Sequence, residues 1–158
     1  MGLIMELKLI TTMPSLSHGA IEKAVKSFVA DSHTEETHAD PIGLYNQTLE
    51  CIAQAVLFKQ DGRQFWMAEH DGEVYAYALA HVSKDVDNCL CYWITQAWVH
   101  PQVRHHKIVK IWRDQLIEQA KKCMCKHILI PSSRSTRAYL RFLGHGFHKY
   151  VELLKADL

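Results

Sequence analysis

Between Val99 and Trp112 the chain reads VHPQVRHHKIVKIW, and four successive side chains, Arg104, His105, His106 and Lys107, carry donors or positive charge. They follow a β-rich run closed by Pro101 and precede apolar residues at helical spacing. A strand that turns and opens a helix aims successive backbone N–H groups at one point, and the helix dipole adds partial positive charge there. The chemistry suited to such a place is capture of a phosphate or diphosphate. The amides of Arg104, His105, His106, Lys107, Ile108 and Val109 are the candidates, with the Arg104 side chain beside them. Glycine would let the main chain approach an anion without a Cβ in the way, and this stretch has none.

The rest of the chain must position that turn. Its 158 residues, 48% of them apolar, suit one domain over 1–158 with one core. No apolar run approaches the ~18 residues of a membrane helix, and the start lacks a basic leader. Five cysteines, an odd count without a leader, predict free thiols and a reducing, cytoplasmic setting. CMCKH (Cys123, Cys125, His127) is half of a metal-ligand set with no second pair nearby, so no metal is expected. Charge is unevenly spread. Residues 99–158 hold 12 Lys and Arg against 4 Asp and Glu, whereas the first 98 hold 6 against 13. The basic half suits an anionic partner, either a nucleotide-like small molecule or a nucleic acid.

Periodicity supplies the elements. Leu7–Thr12 alternates as a strand. Residues 14–32 place Ile21, Ala24, Val25 and Phe28 on one helical stripe, and residues 42–60 place Leu44, Tyr45, Leu49, Ile52, Ala53 and Val56 on another. Two β-rich runs, 63–70 and 73–83, flank Asp71-Gly72 and predict a tight hairpin. Cys89–Val99 is almost wholly apolar, as a buried central strand is. Residues 104–123 read as a helix with Ile108, Ile111, Trp112, Leu116 and Ala120 inward. A short strand, 127–131, a helix ending at Gly144 or Gly146, and a last strand complete the order β α α β β β α β α β. The expected class is α/β (α+β), a mixed and partly parallel sheet with helices on its faces.

This order resembles the GNAT family of N-acyltransferases, and two local patterns carry the resemblance. The first is the family's V-x-P-x-x-R/Q-x-x-G-x-G/A. Val99, Pro101 and Arg104 fall in register, while Lys107 and Val109 occupy the glycine positions. The second is a late helix, A-x-x-x-Y-x-x-x-G-F, met by Ala138, Gly146 and Phe147 with Phe142 in the tyrosine position. The resemblance implies acetyl-CoA or CoA as co-substrate, with its diphosphate on the turn after Pro101. Its pantetheine arm would lie in a gap where the strand Tyr92–Val99 splays from the strand at 127–131. Main-chain contacts would come from Ala97, Trp98 and Val99, and Ser132 would touch the arm or cap the next helix. Arg137, on the stripe Arg134, Arg137, Arg141, would lie near the adenosine 3′-phosphate. The implied acceptor is an amine on a small molecule or a protein. The acidic residues Asp31, Glu35, Glu36 and Asp40 suit a cationic one.

Acyl transfer needs a neutral amine, a polarised thioester and a proton for the leaving thiolate. From Asn88 to Arg113 there is no Asp or Glu. Tyr139, one helical turn before Phe142, and His100, whose imidazole can take up a proton, are the substitutes as acid and base. Thr95 and Gln96 lie on opposite faces of the strand, so only one faces the cleft. Two alternatives stay open beside the enzyme. One is a catalytically inactive GNAT-like module of the kind carried by phages and mobile elements. The other, ranked last, is a nucleic-acid binder using the basic half. A homodimer through the last strand is a further expectation.

Overall fold

The computed structural model describes residues 5–12, 18–32 and 40–131. The expected late helix and last strand, with Ser132, Arg137, Tyr139 and Phe142, lie outside the described residues, as do the homodimer edge and the loop at 33–39. The elements are β1 (Lys8–Leu9), α1 (His18–Ser32), α2 (Pro41–Val56), β2 (Arg63–His70), β3 (Glu73–Lys84), β4 (Leu90–Val99), α3 (Ile108–Lys122) and β5 (His127–Leu129). They form one sheet in the order β1-β2-β3-β4-β5, antiparallel except for the parallel pair β4–β5. Among the described residues no helix is long and apolar enough to cross a membrane.

Each face of the sheet has its own core. Ala68, Ala76, Ala78, Ala80, Tyr92 and Ile94 meet Trp112, Leu116 and Ala120 of α3 on one face. Phe65, Met67, Tyr77, Leu79 and Trp98 meet α1 and α2 on the other. The row of alanines leaves room for Trp112, whose indole N–H reaches the Met5 carbonyl at 3.0 Å. Gln115 clasps the main chain of Leu7 from both sides and fixes the N-terminal segment to α3.

Two irregularities set the geometry. Leu79 pairs with Gln96 and Ala80 with Ile94, so Thr95 is an extra residue on β4. Such a bulge shifts the alternation of side chains. Tyr92 and Ile94 face α3, whereas Trp98, of the same parity, faces α1 and α2. Beyond β4, Pro101–Val103 forms a single 3-10 turn, and α3 starts only at Ile108 rather than at Arg104 as the periodicity suggested. The buried face of the helix also differs from the expected one. Ile111, expected inward, is 56% exposed, and Val109 is buried in its place. Helix α2 likewise stops at Val56, before its predicted end at Gln60, and leaves Leu57 and Phe58 exposed.

The hairpin at Asp71-Gly72 forms as expected, with positive φ at both residues (49° and 75°), the requirement of a type I′ turn. Gly62 is held more tightly: it has φ +74°, and a Cβ there would lie 2.9 Å from the Val82 carbonyl oxygen. Gly72 has the same sign of φ with open space around it. Urea unfolding should therefore separate two glycine variants. Gly72→Ala costs about 1 kcal/mol from conformation alone, and Gly62→Ala costs about 2 kcal/mol or more because the hairpin backbone must also move.

Candidate active site

The site grows from β4. Its pairing with β5 covers Cys91↔His127, Tyr92↔Ile128 and Trp93↔Leu129. Among the described residues, β4 has no neighbour on that side from Ile94 to Val99. The pairing with β3 continues to the end of the strand, where the His100 N–H donates to the Tyr75 carbonyl at 2.8 Å. Main-chain groups alternate along a strand, so Trp98 directs its N–H and C=O at β3 while Ala97 and Val99 direct theirs into the opening. Among the described residues the pairing of β4 with β5 thus ends at Trp93, as the expected splay of Tyr92–Val99 requires. Ala97 and Val99 supply its edge, and Trp98 lies outside it, with its main chain paired to β3 and its side chain in the core beneath α1 and α2.

The turn that follows is built by histidines. Nδ1 of His100 accepts from the Gln102 amide at 3.2 Å, and Nδ1 of His106 accepts from the Ile108 amide at 3.2 Å. The His106 amide donates to the Val103 carbonyl, and the Val109 amide to the His106 carbonyl. Three of the amides expected to face an anion, those of His106, Ile108 and Val109, are therefore occupied within the turn. Among the described residues the amides of His105 and Lys107 have no hydrogen-bond partner. Lys107 has φ −56°, an ordinary helical value, so no glycine is needed for its conformation. Val109, in the second glycine position, is buried in the α3 core, so its bulk is turned away from the turn. Arg104, His105, His106, Lys107 and Lys110 are all exposed and give the shoulder its charge.

Arg104 does not point freely into solvent. Its Nε donates to the Val99 carbonyl at 3.0 Å, and its guanidinium forms an ion pair with Asp31 at the end of α1. It thus ties the open edge of β4 to α1 and shapes the mouth of the opening. Asp31 lies 73 residues away in sequence, and no local pattern announces the pairing. Asp40 caps α2 by accepting from the Ile42 amide. Two of the four carboxylates expected to attract a cationic acceptor are therefore committed within the fold, and Glu35 and Glu36 lie outside the described residues.

At the bulge, Thr95 is exposed and its hydroxyl donates to the Leu79 carbonyl at 3.2 Å. Gln96 turns to α2, where its amide donates to the fully buried Thr48 hydroxyl at 2.8 Å, and Thr48 donates to the Leu44 carbonyl at 2.8 Å. This chain of bonds holds α2 against β4 just beyond the fork. The Tyr77 hydroxyl, whose pKa burial pushes well above the ordinary range, lies 3.5 Å from the Gln96 oxygen. His100 contacts the rings of Tyr75 and Trp98 at 5.3 and 5.8 Å. Because its Nδ1 lone pair is engaged by Gln102, the neutral ring carries its hydrogen on Nε2. Among the described residues no three His, Cys, Asp or Glu side chains are grouped as a metal would require.

With this geometry in place, comparison with known proteins is direct. The acetyltransferase (GNAT) family matches residues 24–145, and the chain belongs to that family. It is similar in structure to a Pyrococcus furiosus protein assigned as an acetyl transferase, with TM-score 0.69, 17% identity, and coverage of 97% of this chain and 100% of the other. A Clostridium acetobutylicum acetyltransferase solved with acetyl-CoA aligns with TM-score 0.65, 17% identity, and coverage of 98% and 96%. The enzyme AAC(6')-Iy, in complex with the bisubstrate analogue CoA-S-monomethyl-acetylneamine, aligns with TM-score 0.64, 15% identity, and coverage of 99% and 100%. At these identities the likeness is one of fold. No curated protein matches in sequence.

A transverse row crosses the sheet at the fork: Arg63, His81, Trp93 and Leu129 are aligned neighbours on β2 to β5. His81 lies parallel to Trp93, with centroids 6.0 Å apart and planes 3° from parallel. Burial, and secondarily the Arg63 charge, lowers the His81 pKa from 6.5. The folded state therefore binds fewer protons here than the unfolded chain, and stability falls as pH drops through 6.5 toward the lower folded value. Urea unfolding between about pH 8 and about pH 5 should show this slope, and His81→Gln should flatten it.

Proposed function

We propose that the protein transfers the acetyl group of acetyl-CoA to the amine of a small-molecule or protein acceptor. The observation that carries this reading is the edge of β4 from Ile94 to Val99, which among the described residues has no strand beside it and opens next to a cationic turn. An extended pantetheine arm would bond to Ala97 and Val99 as a strand would. Its diphosphate would meet the amides of His105 and Lys107 at the start of α3, with the charges of Lys107 and Lys110 nearby. Arg104 would act by holding Val99 and α1 in place. Ser132 and Arg137 keep the roles the family resemblance gives them, beside the arm and the 3′-phosphate. The acetyl-CoA and CoA-analogue complexes of the two relatives support the same co-substrate. Free thiols at all five cysteines support a reducing compartment, and hence a cytoplasmic setting.

In the reaction, the amine nitrogen attacks the thioester carbonyl carbon, the C–S bond breaks, the nitrogen gives up a proton and the thiolate takes one. No carboxylate lies on β4, and His100 becomes a base only by releasing the Gln102 amide. The acceptor therefore arrives neutral and passes its proton to water, while Tyr139 protonates the thiolate. Positioning supplies most of the rate, as it does where an acid–base group is missing.

Calorimetric titration tests the reading. Acetyl-CoA and CoA should bind with micromolar Kd and duplex DNA should not. DNA binding without CoA binding would favour the nucleic-acid alternative. Arg104→Ala should weaken CoA about tenfold, through loss of a charge-assisted bond to the site's own edge. With spermidine, neamine or a lysine peptide as trial acceptor, Tyr139→Phe should lower thiol release about 100-fold and leave CoA affinity unchanged.

A further inference from the structure

Most polar side chains of β4 are fully engaged inside the fold. The Tyr92 hydroxyl donates to the Gln64 oxygen at 2.6 Å and accepts from the Trp66 indole at 2.9 Å. The Trp93 indole donates to the Ser83 carbonyl at 3.3 Å. The Gln96 amide donates to the Thr48 hydroxyl at 2.8 Å, and its oxygen lies 3.5 Å from the Tyr77 hydroxyl. Thr95 differs. Its hydroxyl hydrogen is directed at the Leu79 carbonyl, a group that only accepts, and no donor among the described residues reaches its oxygen. A hydroxyl in that state offers a further partner lone pairs and nothing else. Thr95 is exposed, as is Ala97. It is also the extra residue of the bulge, so no β3 residue stands opposite it.

Its place along the strand matters as much. The turn that would hold the diphosphate follows Val99, so an arm bonded to Val99 and Ala97 runs back along β4 toward the start of the strand. The parallel pair closes at Trp93 and Leu129, and the arm can go no deeper. From Val99 to Thr95 an extended strand spans about 13 Å. A pantetheine arm has roughly a dozen chain atoms, close to the length of four extended residues, so its sulfur and the acetyl carbonyl arrive beside Thr95. A thioester carbonyl is itself an acceptor and gains nothing from an oxygen that presents only lone pairs. An amine N–H does.

We infer that the Thr95 hydroxyl receives an N–H of the acceptor and thereby selects primary amines. The inference rests on the transferase reading of the opening. One N–H of the amine stays on Thr95 Oγ1, which turns the nitrogen lone pair toward the acetyl carbon. That pair forms the C–N bond, and the C–S bond breaks with its electrons on sulfur. The second N–H proton passes to water, and Tyr139 protonates the thiolate. A secondary amine has a single N–H and cannot serve both the oxygen and the water. Thiol release from acetyl-CoA by the full chain tests this, with putrescine and a lysine peptide each set against its N-methylated, secondary form. The unaltered protein should favour the primary amines about tenfold in kcat/KM. Thr95→Val and Thr95→Ala both remove the oxygen. Each should lower kcat/KM for the primary amines about tenfold and bring the two forms level, with the calorimetric Kd for acetyl-CoA unchanged. Thr95→Ser should keep the preference. A preference that survives in the Val and Ala variants overturns the proposal. So does weaker acetyl-CoA binding in them, which would put the hydroxyl on the arm instead of the amine. If the unaltered protein binds acetyl-CoA and acetylates none of these amines, the proposal falls and the co-substrate reading stands. If it does not bind acetyl-CoA, both fall.

Discussion

A strand carries two hydrogen-bonding edges, and among the described residues β4 spends only one of them after Trp93. For three residues it lies between β3 and β5 with both edges satisfied. Beyond that, the groups of Ala97 and Val99 face an opening. Buried backbone groups are nearly always paired, so an edge like this belongs to water or to an extended ligand. What surrounds it keeps it open. Arg104 holds the Val99 carbonyl from one side and Asp31 of α1 from the other, and the Gln96–Thr48 bond fixes α2 over the bulge.

The bulge at Thr95 is the second half of the same design. Without the extra residue, Trp98 would fall on the α3 face with Tyr92 and Ile94. With it, Trp98 is delivered to α1, where it stacks on Tyr77 at 6.0 Å. One inserted residue therefore sets both which edge of the strand is left open and which face of the sheet the Trp98 side chain joins. The histidines complete the arrangement by doing what glycine and serine do in other turns. His100 and His106 use Nδ1 to cap the amides of Gln102 and Ile108, each two residues on, and Lys107 keeps a negative φ.

Much of this was legible in the residues. Asp71-Gly72 announced its hairpin because only a few residue pairs accept positive φ twice. The apolar run Cys89–Val99 announced the central strand seen at Leu90–Val99, and Val99, Pro101 and Arg104 announced the family. The start of α3 was misplaced because apolar spacing does not register a 3-10 turn. Val109 and Ile111 are both apolar, so periodicity alone did not choose between them, and it is Val109 that the core buries. The bulge left no mark, since Thr95 and Gln96 suit a regular strand equally well. Nor did the ion pair of Arg104 with Asp31, because contacts across 73 residues depend on the assembled fold.

Amide hydrogen exchange, read residue by residue with and without acetyl-CoA, tests the central claim most directly. The account predicts that acetyl-CoA slows exchange at Ala97, Val99, His105 and Lys107, while Trp98 and His100, already paired with β3, change little. Protection confined to other amides, or none at saturating acetyl-CoA, would contradict it.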